Sequence, residues 1–222
     1  MLDFDIVVVN YKTPQYLLQC IESIKEFSPQ VYLTLVDTSK ENTGYGKACN
    51  IGAKKGNRKY IGFFNADTRV VKDWYKPIKS IFEEDSRIVV VAPKLINDQN
   101  KITAAGVLPG VKTIRMNRGW MQENNACLYD EHILECPTVC GALFFVRRDV
   151  FEKVGGFDER FFMYYEETYL CFKIRELGYK VIHTGDVTMY HQWNKAPKIN
   201  GQQIEWMRKS KELFEKEYPG QG

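Results

Sequence analysis

The stretch Tyr60-Ile61-Gly62-Phe63-Phe64-Asn65-Ala66-Asp67-Thr68 decides the fold of this chain. Its apolar, aromatic-rich part ends abruptly at Asn65, as a buried strand does when it emerges at the edge of a sheet. In open α/β sheets ligands bind beyond the carboxyl ends of the strands, so Asp67 is a candidate ligand for a divalent cation such as Mg²⁺ or Mn²⁺. The competing interpretation is that Asp67 caps the following turn and Asn65 satisfies local backbone groups.

Strands and helices alternate over the first hundred residues. Apolar runs predict strands over residues 4–9, 31–36, 60–65 and 88–92, with helices from Pro14, with Thr13 as N-cap, and over about residues 47–55 and 74–84. This order implies right-handed crossovers and parallel strand pairing.

The second half of the chain is less regular. Residues 97–135 lack a clear period and are expected to shape the acceptor side of a cleft. After them the pattern predicts strands over residues 137–147, 180–184 and 187–191 and short helical turns over 149–154. Two helices complete it: one that ends at Gly178 with an apolar stripe of Leu170, Ile174 and Leu177, and one over about residues 203–218 with Ile204, Met207 and Phe214 on one face.

Composition limits the function classes. A chain of 222 residues fits one domain, and a net charge of +3 does not by itself indicate a nucleic-acid binder. Asp3 and Asp5 interrupt the first apolar run, so no signal peptide is expected, and no apolar stretch approaches a membrane span. We predict a cytoplasmic protein in which all six cysteines are free thiols: Cys20, Cys49, Cys127, Cys136, Cys140 and Cys171.

Acidic residues mark two candidate sites. Asp37 and Asp67 end consecutive predicted strands, so both carboxylates are expected on one edge of the sheet. Glu166 and Glu167 begin a helix after an aromatic run, where they either complement the helix dipole or supply a general base whose pKa apolar surroundings raise. His191 ends a strand and is either a second ligand of the cation on Asp67 or a structural histidine.

Residues 42–52 are glycine-rich but match neither G-x-x-x-x-G-K-[ST] nor G-x-G-x-x-G. The chain is therefore neither a P-loop protein nor a dinucleotide-binding Rossmann protein by these motifs.

Five motifs, in order along residues 4–191, resemble the family 2 glycosyltransferases, specifically the rhamnosyltransferase-like branch. They are Val7-Val8-Val9-Asn10-Tyr11, Val36-Asp37-Thr38-Ser39, Gly44-Tyr45-Gly46-Lys47-Ala48-Cys49-Asn50, Phe64-Asn65-Ala66-Asp67-Thr68, and Gly155-Gly156-Phe157-Asp158-Glu159 with the later Glu166-Glu167 pair before Leu170-Cys171. The resemblance implies a GT-A fold, a single Rossmann-like α/β domain with a mostly parallel central sheet flanked by helices. Residues 1–96 would form a nucleotide-binding half and residues 97–222 an acceptor-binding half.

The resemblance also implies roles for individual residues. Asp67 would hold Mn²⁺ or Mg²⁺, and Glu167 would be the base of an inverting transfer, with Glu166 holding the turn or contacting the acceptor. Nucleotide contacts are expected from Asn10, Tyr11, Asp37, Gly46, Lys47, Asn50, Asn65 and Ala66, and acceptor or sugar contacts from Gly141, Ala142 and Tyr169.

Three positions depart from the family pattern. The Asp-x-Asp metal motif reads Asn65-Ala66-Asp67, so the metal has one carboxylate here. The usual Glu-Asp pair is Glu166-Glu167, which keeps an acid at the base position on a longer arm, and Tyr169 replaces a later aspartate. These departures leave the strength of metal binding and the orientation of the acceptor open.

The expected donor is a UDP- or dTDP-type sugar that gives up a hexosyl or deoxyhexosyl group. The acceptor is a saccharide, a lipid-linked saccharide, a protein or a modified nucleic-acid base, and a homodimer is a further expectation. Two alternatives stay open: a sugar nucleotidyltransferase, although Asn10-Tyr11-Lys12-Thr13-Pro14 lacks the glycine-rich, arginine-containing loop of such enzymes, and a non-catalytic nucleotide-sugar binder.

Overall fold

The structure is a computed structural model that describes residues 3–71, 73–107, 117–125, 129–193 and 201–221. Within these residues the elements are, in chain order, β1 (Phe4–Asn10), α1 (Pro14–Phe27), β2 (Tyr32–Asp37), α2 (Tyr45–Ala53), β3 (Tyr60–Asn65), β4 (Thr68–Arg69), α3 (Tyr75–Glu84), β5 (Ile88–Ile96), β6 (Ile102–Ala104), β7 (Leu134–Glu135), β8 (Leu143–Arg147), α4 (Arg148–Lys153), α5 (Glu166–Glu176), β9 (Lys180–His191) and α6 (Gln202–Glu217). The predicted strand-helix alternation is confirmed.

One sheet carries all of these strands in the order β2-β1-β3-β8-β5-β9-β4, with β6 on β5 and β7 on β9. Its longest ladders, β1 with β2, β1 with β3 and β5 with β9, are parallel. β8 is antiparallel to both of its neighbours, β3 and β5. Because β8 comes from the second half of the chain and lies between two strands of the first half, the two predicted halves share one sheet. Their division into nucleotide and acceptor binding stays a prediction.

Helices cover both faces of this sheet. α1 and α3 pack on one face, where Phe4, Tyr60, Trp74 and Phe145 form an aromatic cluster. α2, α4 and α5 pack on the other face around a second group of aromatic rings that includes Phe63. A sheet buried on both faces explains why its strands read as continuous apolar runs rather than as alternating ones.

Several sequence predictions need correction. β2 and β3 are not neighbours, since β1 pairs with both and separates Asp37 from Asp67 by one strand. The strand predicted from residue 137 begins at Leu143, and the two strands predicted after residue 180 are the single strand β9, interrupted by a register shift opposite Pro93 and Lys94.

The apolar stripes of the last two helices also differ from the prediction. Leu177 is 47% exposed and Ile204 is 75% exposed, whereas Leu170, Ile174 and Phe214 are buried. Helical spacing places residues on one face, but only the neighbouring elements decide how far along the helix that face is covered.

The described cysteines are free thiols, as predicted, while Cys127 lies outside the described residues. None of the described helices has the length and apolar character that a membrane crossing requires.

Candidate active site

The carboxyl ends of β1 and β2 form the first part of the site. Asn10 lies directly opposite Asp37, and its Nδ2 donates to Asp37 Oδ1 at 2.9 Å and to Ser39 Oγ at 3.2 Å. Ser39 donates to the same carboxylate oxygen from its backbone N–H at 3.0 Å and from its hydroxyl at 2.5 Å. The Ser39 and Asn10 donors hold the pKa of the Asp37 carboxyl below its usual range, so this exposed group is ionised at neutral pH.

Thr13 orients the Asn10 side-chain amide, which donates a hydrogen bond to Asp37. It stands at the predicted N-cap of α1, but its hydroxyl donates to Asn10 Oδ1 at 2.8 Å and does not cap the helix. Its backbone N–H donates to the same oxygen at 3.3 Å. Tyr11 is half-buried beside them, with the ammonium of Lys12 5.3 Å from the centre of its ring.

Helix α2 packs against Phe157 and the start of α5. Asn50 exchanges hydrogen bonds with the backbone of Phe157, donating to its oxygen at 2.9 Å and accepting from its N–H at 3.0 Å. A Cβ on Gly46 would lie 3.1 Å from Phe157 Cβ and 3.4 Å from Glu166 Cβ. Gly46 and Asn50 therefore pack α2 against the segment that leads to α5, while Lys47 is exposed. Their predicted contact with a nucleotide stays a prediction.

Asp67 and His191 form the candidate metal centre. His191 Nε2 lies 3.8 Å from Asp67 Oδ1, and both side chains are largely buried. The backbone holds this arrangement. Thr68 pairs with His191 in the β4–β9 ladder, and the N–H of Gln192 donates to the backbone oxygen of Asp67 at 2.9 Å. Burial lowers the pKa of His191, although the Asp67 charge opposes this, so the imidazole is neutral and able to bind a metal.

The donor set fits a divalent cation. His191 Nε2 and Asp67 Oδ1 face each other at 3.8 Å without a hydrogen bond, so the carboxylate oxygen and, in the Nδ1–H tautomer, the imidazole nitrogen are available to a cation. No group of three or more histidine, cysteine or acidic side chains that could hold a metal occurs in the described part of the chain. Among the described residues Asp67 and His191 are the two that would hold the ion, and substrate phosphates and water would complete its ligands.

Glu166 and Glu167 begin α5 after two tyrosines in the left-handed conformation. Tyr164 and Tyr165 both have φ +68°, a strained backbone of the kind that clusters at functional sites. Both glutamates are buried, with exposures of 5% and 7%. Burial raises the pKa of Glu167 to about 7, although the backbone N–H groups of Glu167, Thr168 and Gly141 oppose this shift.

The two glutamates face different neighbours. Glu166 turns toward α2, where its charge acts on Tyr45 and Cys49 and its Oε2 has no hydrogen-bond partner among the described residues. Burial and the charge of Glu167 raise the pKa of Glu166 well above its usual range. The family resemblance implies that Glu166 holds the turn or contacts the acceptor; its side chain is buried against α2, and this role stays a prediction.

The turn from Cys140 to Ala142 connects Glu167 with the end of β3 that precedes Asp67. Burial raises the pKa of the Cys140 thiol to about 12, and the charges of Glu167 and Asp67 add to this shift. The N–H of Asn65 donates to the Ala142 oxygen at 2.8 Å. This turn places Gly141 and Ala142, the predicted acceptor residues, beside Glu167 and Asn65.

Tyr169 lies elsewhere. Its ring packs against Phe161 at 5.0 Å and against Tyr218 at 5.7 Å, and Arg160 Nη2 donates to its hydroxyl at 3.4 Å. These contacts join α5 to α6, so its predicted role in sugar or acceptor binding has no supporting contact. Sequence reasoning also missed the hydroxyl of Ser39, although it stands in the quoted Val-Asp-Thr-Ser motif, where a hydrogen bond back to the aspartate two residues earlier is common.

Comparison with known proteins identifies the family of this chain. The model of Glycosyl transferase family 2 matches residues 30–155, more than half of the chain, and the chain belongs to this family. It is 26% identical over 182 residues to the probable glycosyltransferase YdaM of Bacillus subtilis, covering 80% of this chain and 40% of that protein. It is 24% identical over 200 residues to the low-salt glycan biosynthesis hexosyltransferase Agl10 of Haloferax volcanii, covering 78% of this chain and 62% of Agl10.

The fold is shared with solved glycosyltransferases. A crystal structure of GalNAc-T7 with UDP, GalNAc and Mn²⁺ superposes with a TM-score of 0.64 at 18% identity, covering 86% of this chain and 44% of that one. The predicted GT-A fold is confirmed. The chain spans less than two thirds of the length of these proteins.

Proposed function

We propose that the chain catalyses an inverting, metal-assisted transfer of a hexosyl or deoxyhexosyl group from a UDP- or dTDP-type donor to an acceptor hydroxyl. The observation that carries this proposal is the turn from Cys140 to Ala142: Gly141 packs against the buried Glu167, whose pKa is raised to about 7, and the Ala142 backbone oxygen accepts from the N–H of Asn65, two residues before Asp67. A base needs a pKa near the operating pH, and the leaving group needs a cation.

Asp37 is the proposed contact to the nucleotide base. Three donors converge on its Oδ1, and Oδ2 receives no hydrogen bond from a described residue. An ionised carboxylate with one open oxygen suits the imide N–H of uracil or thymine, which donates a single hydrogen bond. Asn10 and Tyr11 at the end of the neighbouring strand complete the proposed nucleotide contact.

Asp67 and His191 would hold Mn²⁺ or Mg²⁺, which supplies positive charge where the leaving nucleoside diphosphate becomes more negative. Mn²⁺ accompanies UDP in the GalNAc-T7 structure, which supports this cofactor class. The spacing of 3.8 Å between His191 Nε2 and Asp67 Oδ1 is longer than a hydrogen bond and leaves room for an ion that contacts both.

Glu167 performs the proton transfer in this proposal. Its carboxylate takes the proton of the acceptor hydroxyl while the oxygen attacks the anomeric carbon on the face opposite the leaving diphosphate. One bond forms as the other breaks, so the configuration inverts. The N–H groups around Glu167 hold the carboxylate in place and keep its pKa from rising further.

The acceptor class is a saccharide, a lipid-linked saccharide, a protein or a modified nucleic-acid base. Agl10 is named as a glycan biosynthesis hexosyltransferase, which favours a saccharide or its lipid-linked form. A cytoplasmic location and a homodimer belong to the proposal as well.

A thermal-shift screen of nucleotide sugars with Mn²⁺ finds the donor, because a ligand that binds only the folded state raises its stability. Turnover of that donor to free nucleoside diphosphate, with and without metal and acceptor, then tests the reaction. We expect metal-dependent turnover and a product of inverted anomeric configuration. Binding without turnover would favour the non-catalytic nucleotide-sugar binder instead.

A further inference from the structure

A hydrogen bond between distant parts of the chain holds the turn that carries the proposed base. The hydroxyl of Tyr45, the first residue of α2, donates to the backbone oxygen of Gly141 at 2.8 Å across a separation of 96 residues. Tyr45 is half-buried, and its ring packs edge-on against Phe157 at 6.4 Å.

The other side of Gly141 faces the base. The N–H of Gly141 is directed at the Glu167 carboxylate and lowers its pKa. The approach is close, because a Cβ on Gly141 would lie 3.1 Å from Glu167 Cδ and 3.2 Å from Glu167 Cγ. Gly141 therefore connects two groups, with its oxygen bound to Tyr45 and its N–H directed at Glu167.

Tyr45 itself is anchored to the segment that leads to Glu167. Its N–H donates to the Phe162 oxygen at 3.1 Å. The preceding residue, Gly44, has φ +83°, and a Cβ there would lie only 2.4 Å from the Phe162 oxygen. Only glycine fits this approach and this backbone conformation. The start of α2 is thus held at a defined distance from the chain that enters α5.

We propose that Tyr45 is a positioning residue for the base: its hydroxyl holds the Gly141 turn so that the Gly141 N–H and the Glu167 carboxylate stay aligned. The inference rests on the proposed function for its kinetic consequences, but the alignment itself can be measured without a substrate.

The titratable groups that face Glu167 come from three elements. Glu166, Tyr165 and Cys171 belong to its own segment, Cys140 to the turn and Tyr45 to α2. Burial raises the pKa of each thiol and of each tyrosine, so these groups stay neutral between pH 5 and 9. Glu166 is the one group in this set that competes with Glu167 for a proton.

Tyr45→Phe removes the hydroxyl and keeps the ring that packs on Phe157. The turn then loses its anchor, and the Gly141 N–H moves away from Glu167. Since that N–H lowers the pKa of Glu167, its loss raises the pKa, by about 0.5–1 unit for one hydrogen bond of ordinary strength. A misplaced base slows the chemical step, so kcat should fall about 10- to 100-fold while the donor KM changes less than about twofold.

Tyr75→Phe is the matched control. The Tyr75 hydroxyl also bonds to a distant residue, since it accepts from the Asp3 N–H and donates to Asp3 Oδ2, both at 3.1 Å. Asp3 lies before the start of β1, at the end of the sheet away from Asn10 and Asp37. Tyr75→Phe should therefore leave the pKa of Glu167 and kcat unchanged.

The experiment measures the Glu167 carboxyl pKa by ¹³C NMR titration, together with kcat, the donor KM and the pH profile, in the wild type, Tyr45→Phe and Tyr75→Phe. The inference is supported if, in Tyr45→Phe but not in Tyr75→Phe, the pKa of Glu167 increases and the rise of kcat with pH moves to higher pH. An unchanged pKa in folded Tyr45→Phe overturns the inference whether or not the wild type transfers sugar. A wild type that transfers no sugar overturns the proposed function only.

If Tyr45→Phe does not fold, Gly141→Ala is used to test whether the Gly141 turn affects the pKa of Glu167. Its added methyl group presses on Glu167 from the same side and should shift the same pKa upward. A folded Gly141→Ala protein with the wild-type Glu167 pKa would contradict a role for this turn in holding the base.

Discussion

Asp37 and Glu167 carry the same functional group in opposite environments. Asp37 is exposed and accepts hydrogen bonds from Asn10 and Ser39, which lower its pKa. Glu167 is buried, and this burial raises its pKa to about 7 even though three backbone N–H groups oppose the shift. Each carboxylate has three hydrogen-bond donors, so hydration, rather than the number of donors, decides which one stays ionised at neutral pH and which one titrates near it.

The largest effect is expected at the buried carboxylate. Glu167→Gln keeps the size and the hydrogen-bonding capacity of the side chain but cannot take a proton. Sugar transfer should fall about 100-fold or more, the usual scale for a lost general base, while donor affinity stays near wild type. Steady-state transfer assays and donor titrations measure the two quantities.

Glu166→Gln is the contrasting variant for that test. Because Glu166 faces Tyr45 and Cys49 rather than the Gly141 turn, its loss should slow transfer far less than the loss of Glu167. Normal turnover in Glu167→Gln with a slow Glu166→Gln would show that the roles of the pair are reversed.

A smaller effect is expected at the candidate metal centre. Asp67→Ala should abolish the Mn²⁺-dependent part of nucleoside-diphosphate affinity, a loss of about 10- to 100-fold if the ion provides one strong charged contact. Isothermal titration with and without Mn²⁺ measures it. Asp149→Ala, at an exposed position on α4, is the control and should bind as the wild type does.

Asp37→Asn tests the charge of the exposed carboxylate. Asparagine retains an oxygen for the Ser39 and Asn10 donors but loses the charge. Affinity for uridine diphosphate should fall about 10-fold, the value of one charge-assisted hydrogen bond, and the preference over guanosine diphosphate should shrink. Equal binding of both nucleotides by the wild type would contradict the role of Asp37.

The smallest effect is a pH dependence of stability. The folded-state pKa of Glu166 is raised well above its unfolded value, so its favourable contribution is full below pH 4.5 and is lost as pH rises toward the folded pKa. Glu166→Gln removes this loss. The Tm difference between Glu166→Gln and the wild type should be about 2–4 °C larger at pH 8 than at pH 5. This is the shift that about 1 kcal/mol gives in a protein of this size. A difference that does not grow with pH would mean that Glu166 is ionised in the folded protein.

The sequence predicted the part of this site that local chemistry encodes. Strand ends such as Asn65 and Asp37 were visible because an apolar run stops at a polar residue. The insertion of β8 between β3 and β5 was not visible, since nothing in the local pattern tells an antiparallel neighbour from a parallel one.

Contacts between residues far apart in the sequence could not be predicted from local patterns either. The Tyr45 bond to Gly141 joins residues 96 apart, and either residue alone looks like ordinary packing. Tyr169 stands at a position that the family resemblance assigns to the acceptor, and its packing against Tyr218, just after α6, is a contact that the local sequence does not show.

The most direct test of the account is a ¹³C NMR titration of the Asp37 and Glu167 carboxyl groups in the same wild-type sample, without substrate or metal. We predict that the pKa of Asp37 lies below its usual range and that the pKa of Glu167 is about 7. If both carboxyls titrated near pH 4, the buried environment would not tune Glu167, and its role as the base would be contradicted.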